Sequence, residues 1–182
     1  MKNENYSKFA ILGILTTGCH TGYSIKQMID NSLNHFWKIS YGQIYPNLKL
    51  LVCEGLATVK DTSQDGKPDK KEYYLTAEGE RALQNWLKSP LQEPPTEKNE
   101  VLLKLFFSRH QSNDMTILQI RKYLEKLLER LTVYQTIEAM IQEHSPTSAD
   151  AKYWLFTLDY GKRTTQAGIE WCESTISKLK EE

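Results

Sequence analysis

A mainly α-helical fold with one small β-hairpin is predicted for this chain of 182 residues on three observations. Apolar residues recur at helical spacing through most of the sequence. One polar run with an Asp65-Gly66 turn signal separates two short stretches rich in β-branched and aromatic residues. The proline-dense stretch SPLQEPPT, Ser89 to Thr96, divides the chain in two.

Tyr6 to Thr16 carries Phe9, Ala10, Ile11, Leu12, Ile14 and Leu15, apolar on most sides, and predicts a buried helix ended by Gly18. Thr21 then caps a second helix, Gly22 to about Asn31, with Ile25, Met28 and Ile29 facing inward. Phe36 and Trp37 are two large aromatics expected to seal the core.

Ser40 to Gly55, SYGQIYPNLKLLVCEG, predicts a third helix bounded at both ends: Ser40 and Gln43 form a capping box and Gly55 a left-handed stop. Ile44, Leu48 and Leu51 make its apolar stripe. Gly42, Gln43, Pro46 and Lys49 lie on the other side, flanked by Tyr41 and Tyr45. That outer face is almost free of acids. It suits a groove of nucleic acid, and equally the polar back of an ordinary amphipathic helix, so the helix alone leaves both open.

Leu56 to Lys60 and Lys71 to Thr76 are the strands of the hairpin, whose tip holds Lys67, Lys70 and Lys71 among Asp61, Asp65 and Asp69. By composition that tip is a solvated loop. Thr76 caps a fourth helix with Ala82, Leu83, Trp86 and Leu87 on its buried face. Three helices, a hairpin and a helix make a winged helix-turn-helix, assigned to residues 1–88, with 89–96 as linker.

Residues 97–182 read as entirely helical. Glu97 to His110 offers Val101, Leu102, Leu105 and Phe106 on one face. Asp114 is placed to cap a long helix to about Glu143, along which Ile117, Ile120, Leu124, Leu127, Leu131 and Tyr134 alternate by heptad spacing until Glu138 interrupts them. Pro146 breaks the pattern between His144 and Ala149. A last helix, about Asp150 to Lys180, lines up Trp154, Leu158, Gly161, Thr165, Gly168, Cys172, Ile176 and Leu179. Gly161 and Gly168 each cost about 1 kcal/mol relative to alanine in a helix interior, which predicts a partner helix packed closely against them. Periodicity leaves open whether that partner is in the same subunit. The length of the two-helix arm favours a homodimer, with the stripe and the two glycines as its dimerisation residues.

Basic and acidic residues number 23 each, so no overall field attracts nucleic acid or anionic membrane. Residues 1–88 hold 11 basic and 9 acidic residues, and the remainder 12 and 14, a slight asymmetry. Cys19, Cys53 and Cys172 are odd in number and widely spaced, which implies free thiols in a reducing compartment. FAILGIL, Phe9 to Leu15, is too short for a membrane span and no cleavage site follows it, so a cytoplasmic protein is expected. His20, His35, His110 and His144 occupy unrelated contexts, and no nucleophile elbow, phosphate loop or HExxH occurs. Neither catalysis nor a metal nor a cofactor is expected.

Several of these stretches resemble the PadR-type transcriptional regulators. The residues that carry the likeness are FAILGIL, Thr21-Gly22-Tyr23-Ser24-Ile25, Phe36-Trp37, Gln43-Ile44-Tyr45-Pro46-Asn47-Leu48 with Glu54-Gly55-Leu56, and Tyr73-Tyr74-Leu75-Thr76 followed by Gly79. A looser match covers Asn99 to Phe107 and Ile169 to Trp171, as in the branch with a large helical C-terminal domain. The resemblance implies a homodimeric repressor that binds an inverted repeat in double-stranded DNA and is governed by a small molecule.

The same resemblance places the helix of Ser40 to Glu54 in the major groove and the wing on the flanking backbone. It thereby points to Ser40, Tyr41, Gln43, Tyr45, Pro46 and Lys49, and to Lys67, Lys70 and Lys71. Lysines suit phosphates, Gln43 can read an adenine edge, and the Tyr23 hydroxyl can hold a phosphate or merely cap the core. Pro46 removes a backbone N–H and is expected to kink the first turn and aim Tyr45.

One branch of the family senses phenolic acids. Its ligand residues do not transfer here, because Lys152 to Leu158 contains no histidine and position 42 is glycine, so the effector pocket is unassigned. Tyr153, Trp154, Tyr160, Trp171, Phe36 and Trp37 line a pocket for a small aromatic effector or are plain core. The alternative function is a helical protein-interaction module whose winged domain does not bind DNA.

Overall fold

The computed structural model describes residues 5–64, 67–91, 98–144 and 148–181. They belong to two compact units, Met1–Pro94 and Pro95–Glu182. Most of the expected linker and the Asp65-Gly66 turn lie outside the described residues.

The first unit comprises α1 (Tyr6–Leu15), α2 (Gly22–Asn31), α3 (Tyr41–Cys53), β1 (Ala57–Gln64), β2 (Lys67–Leu75) and α4 (Ala77–Lys88). Its helices start where side chains satisfy the orphan N–H groups. Ser24 N–H donates to Thr21 Oγ1 at 3.0 Å while Thr21 N–H donates to Ser24 Oγ at 3.0 Å. Thr76 Oγ1 accepts from Gly79 N–H at 3.0 Å and donates to the Gly55 carbonyl at 2.7 Å, so one hydroxyl caps α4 and ties it to the end of α3. Gly55 has φ 71°, the left-handed stop its position predicts. At Gly79 a Cβ would collide with the Leu56 carbonyl oxygen, so only glycine lets α4 start this close to the strand.

The core of this unit is contributed by every helix. Ile11, Leu12, Ile25, Ile44, Leu48 and Leu51 are fully buried, with Leu83 and Tyr73 beside them. Burial of each such aliphatic side chain is worth about 1.5–3 kcal/mol. The hairpin is antiparallel, pairing Ala57 with Leu75, Val59 with Tyr73 and Asp61 with Lys71, and its register shifts between Thr62 and Gln64. The α1–α2 link adds a short third edge: Tyr73 N–H donates to the His20 carbonyl at 2.7 Å, and Thr21 bridges to Glu72.

Two expectations about the core are overturned. Phe36 is 62 % exposed and Trp37 39 %, because a 3-10 turn at Leu33–His35 carries them outward and Ile39 takes the core position instead. Trp37 rests edge-on against Tyr6 at 5.6 Å. Leu87 is exposed too; the aromatic contact of α4 is the half-buried Trp86, stacked on Phe9 at 4.9 Å.

The second unit comprises α5 (Glu100–Phe106), a 3-10 turn at Ser108–His110, α6 (Asn113–His144) and α7 (Ala151–Glu181). Ser112, not Asp114, stands before α6, where Met115 N–H donates to its hydroxyl at 3.4 Å and Thr116 N–H to its carbonyl at 3.1 Å. The helix therefore begins two residues earlier than a cap at Asp114 implies.

α6 and α7 run antiparallel. Ile117, Ile120 and Leu127 are buried against Ile169, Cys172 and Ile176, with Leu124 and Leu131 half-buried beside them. A Cβ at Gly168 would lie 3.0 Å from Leu127 Cδ1, and one at Gly161 would lie 3.0 Å from the buried Tyr134 ring. The close partner implied by the two glycines is thus α6 of the same chain. Glu138 ends the stripe because it pairs with Lys162 of α7 at 2.6 Å. Outside this seam Leu102, Leu103, Phe106, Phe107, Leu118, Leu128 and Phe156 are exposed, and Tyr153 and Tyr160 are exposed rather than core.

Candidate nucleic-acid interface

The apolar stripe of α3 anchors it: Ile44, Leu48 and Leu51 are buried, so the helix presents the opposite side outward. There Ser40, Tyr41, Gly42, Gln43, Tyr45, Pro46 and Lys49 are all exposed, and no acid stands in the first turn. α3 runs unbroken through Pro46. The one acid of the stretch, Glu54, lies at the far end and pairs with Lys8 at 3.0 Å. The N-terminal turns thus combine the positive end of the helix dipole with uncharged side chains.

Within those turns the side chains are ordered by hydrogen bonds. Ser40 N–H donates to Gln43 Oε1 at 2.9 Å and Ser40 Oγ–H donates to the same oxygen at 3.2 Å, so the capping box holds the Gln43 amide oxygen. A Cβ built on Gly42 would meet nothing within 4 Å. Packing does not require glycine there; its effect is a flat, unobstructed patch of backbone.

Tyr45 is braced from behind. Its ring lies against Gly22 at the start of α2, where a Cβ would come 2.6 Å from Cζ and Oη. Tyr41 meets it edge-on at 5.8 Å, and Lys26 Nζ stands 5.5 Å from the Tyr41 ring centroid. The hydrogen bond with Tyr41, then burial, raises the Tyr45 phenol above its ordinary value. That favours the neutral form in the fold: its contribution is complete below about pH 10 and is lost as pH climbs through the raised value. Tyr23 is exposed near this cluster and accepts from Gln27 Nε2 at 3.1 Å.

On the wing, Lys71 faces Asp61 across the ladder at 3.9 Å. Lys67 and Lys70 pair with Gln64 and Thr62 along the backbone, and their side chains lie outside the described residues. At the wing root the His20 ring packs on Tyr74 at 4.4 Å, and Lys60 Nζ lies 5.0 Å from the Tyr74 centroid.

Two further residues that residue type alone does not single out shape this surface, one on it and one buried beneath it. Lys26 adds a cation beside Tyr41; its signal is position, three residues after Tyr23 on the same side of α2. Asn47 is a polar residue three after Ile44, inside the apolar stripe, and is only 7 % exposed. Its Nδ2 donates to the Gln43 carbonyl at 2.8 Å and its Oδ1 accepts from Asn5 Nδ2 at 2.8 Å, which links α3 to the residue capping α1.

Stripe residues Ile117, Ile120, Leu124, Leu127, Leu131 and Tyr134, with Gly161 and Gly168, gather on the α6–α7 seam. Among the described residues no cluster of His, Cys, Asp or Glu is placed to hold a metal, and no helix is long and apolar enough to cross a membrane.

Residues 11–85 match the transcriptional regulator PadR-like family, and residues 97–180 match the C-terminal region of the virulence activator alpha family. The negative transcriptional regulator PadR of Bacillus subtilis is 34 % identical over 176 residues, covering 94 % of this chain and 96 % of that protein. A crystal structure of Bacillus subtilis PadR with operator DNA superimposes with a TM-score of 0.84 at 31 % identity, over 96 % of this chain and 99 % of the other. Another, with p-coumaric acid, gives 0.78 at 29 % identity over 96 % of each. With the winged unit, the long helix pair and this identity over nearly its full length, the chain belongs to the PadR-like family of transcriptional regulators.

Proposed function

We propose that the protein is a homodimeric repressor that binds an inverted-repeat operator in double-stranded DNA and is released by a small aromatic effector. The observation that carries this reading is the outer face of α3: exposed, without acid in its first turn, and flat at Gly42. Support for the partners comes from the Bacillus subtilis relative, crystallised with operator DNA and with p-coumaric acid.

In this reading Ser40, Tyr41, Gln43, Tyr45 and Pro46 meet the major groove. Tyr23, Lys49, Lys67, Lys70 and Lys71 meet phosphates and set the register. Ile117, Ile120, Leu124, Leu127, Leu131, Tyr134, Gly161 and Gly168 serve the dimer by building the helix pair, whose exposed apolar residues meet the second copy. Such a protein works in the cytoplasm, where the DNA is.

Selection of duplexes from a random pool tests the reading. An inverted repeat with half-sites about one helical turn apart is expected. Log affinity for it should fall with log salt by about 0.9 for each phosphate neutralised. A shallow slope with no enriched sequence would overturn the proposal in favour of a protein-binding winged module.

A further inference from the structure

We infer that Gln43 presents only hydrogen-bond donors to the groove, and so selects a guanine edge and rejects adenine. The inference rests on the DNA-binding reading and deepens it. A glutamine reads adenine with both halves of its amide: Nε2 donates to N7 while Oε1 accepts from the N6 amino group. Here Oε1 already accepts from Ser40 N–H at 2.9 Å and from Ser40 Oγ–H at 3.2 Å. A carboxamide oxygen has two lone-pair positions, and both are taken.

The backbone fixes this orientation. Ser40 N–H can only donate, so the atom facing it must be the oxygen, and the amide cannot turn over without losing the cap. Nε2 has no hydrogen bond to a protein acceptor among the described residues, and the side chain is exposed beside the open backbone at Gly42. What remains to face a base is an NH2 group. Guanine offers O6 and N7, two adjacent acceptors with no donor between them; adenine sets its N6 donor beside N7, where it opposes Nε2–H.

Gln43→Glu separates capping from reading. A glutamate at this position still closes a capping box, but the atom it turns outward is an acceptor. Full-length protein and Gln43→Glu would be put through the same selection from a random duplex pool, with thermal melting of both and Gln43→Ala as a second variant. The wild type should enrich guanine at one position of each half-site. Gln43→Glu should lose that preference, moving to cytosine, whose N4 is a donor, with other positions unchanged and the melting temperature kept. Its affinity for the wild-type operator should drop about tenfold. Gln43→Ala should flatten the same position.

An adenine preference at the altered position would overturn the inference, as would identical preferences at every position for all three proteins; in both cases the DNA-binding reading would stand. No enrichment by the wild type would overturn that reading and this inference with it.

Discussion

The two units bury their apolar residues differently. In the first, α1, α2, α3, α4 and the hairpin close around one centre, and the first turn of α3 leaves Tyr41, Gly42 and Gln43 outside it. In the second, a single seam between α6 and α7 is buried while Leu103, Phe106, Phe107 and Leu128 face outward, Phe106 at 82 % exposure. A monomeric protein rarely leaves that much apolar surface uncovered. The first unit closes its core and still leaves Phe36, Leu87 and Leu91 exposed. The second has a finished seam and an unfinished exterior, which is what half of a dimer should look like.

The strongest way to break this contrast is a charge in the seam. Leu127→Asp would bury an unpaired carboxylate between α6 and α7, a cost of several kcal/mol, and should abolish the cooperative melting of the C-terminal unit. A variant that keeps its helical circular dichroism and merely becomes monomeric would instead mean that the seam forms between chains.

Leu103→Asp with Phe106→Asp tests the exterior. Helicity should persist, light scattering should report monomers, and operator affinity should fall by about 100-fold as the two heads lose their link. A fully dimeric variant would move the interface elsewhere.

Smaller effects should come from the first unit. Replacing Lys67, Lys70 and Lys71 together by alanine should flatten the salt dependence by about 0.9 for each phosphate no longer neutralised, on operator and random duplex alike. Last, Gly42→Ala should raise thermal stability by about 0.5–1 kcal/mol, because its methyl meets nothing in the free protein, yet weaken operator binding. Equal or better binding would show that the groove does not approach position 42.

Features that depend on neighbours in sequence are legible in the chain itself. Thr21, Thr76 and Gly55 cap where their residue types demand it, because caps are short-range hydrogen bonds and backbone angles. The order of helices and hairpin, and with it the candidate reading helix, follows from the same local rules. Periodicity tells which face of a helix is apolar and not what covers it. The stripe from Ile117 to Tyr134 is plain in the sequence, but its partner in α7 is a matter of tertiary packing. Phe36 and Trp37 mislead for the complementary reason: size and hydrophobicity argue for burial, while a 3-10 turn immediately upstream decides direction. At the interface, residue type suggests that Gln43 reads adenine, and only the bonds from Ser40 reveal which half of its amide is free.

The hydrogen bond from Asn5 to Asn47 carries a practical consequence for handling the protein. Although 42 positions separate the two residues, trimming the chain through Asn5, whether by an aminopeptidase or by the seam of an affinity tag, would strip α1 of its cap and leave the amide oxygen of buried Asn47 without its donor, its Nδ2 still held by the Gln43 carbonyl. Operator recognition should therefore be more sensitive to the history of the N-terminus than the groove-facing residues alone would suggest, and batches prepared with different leader sequences should be compared before their affinities are.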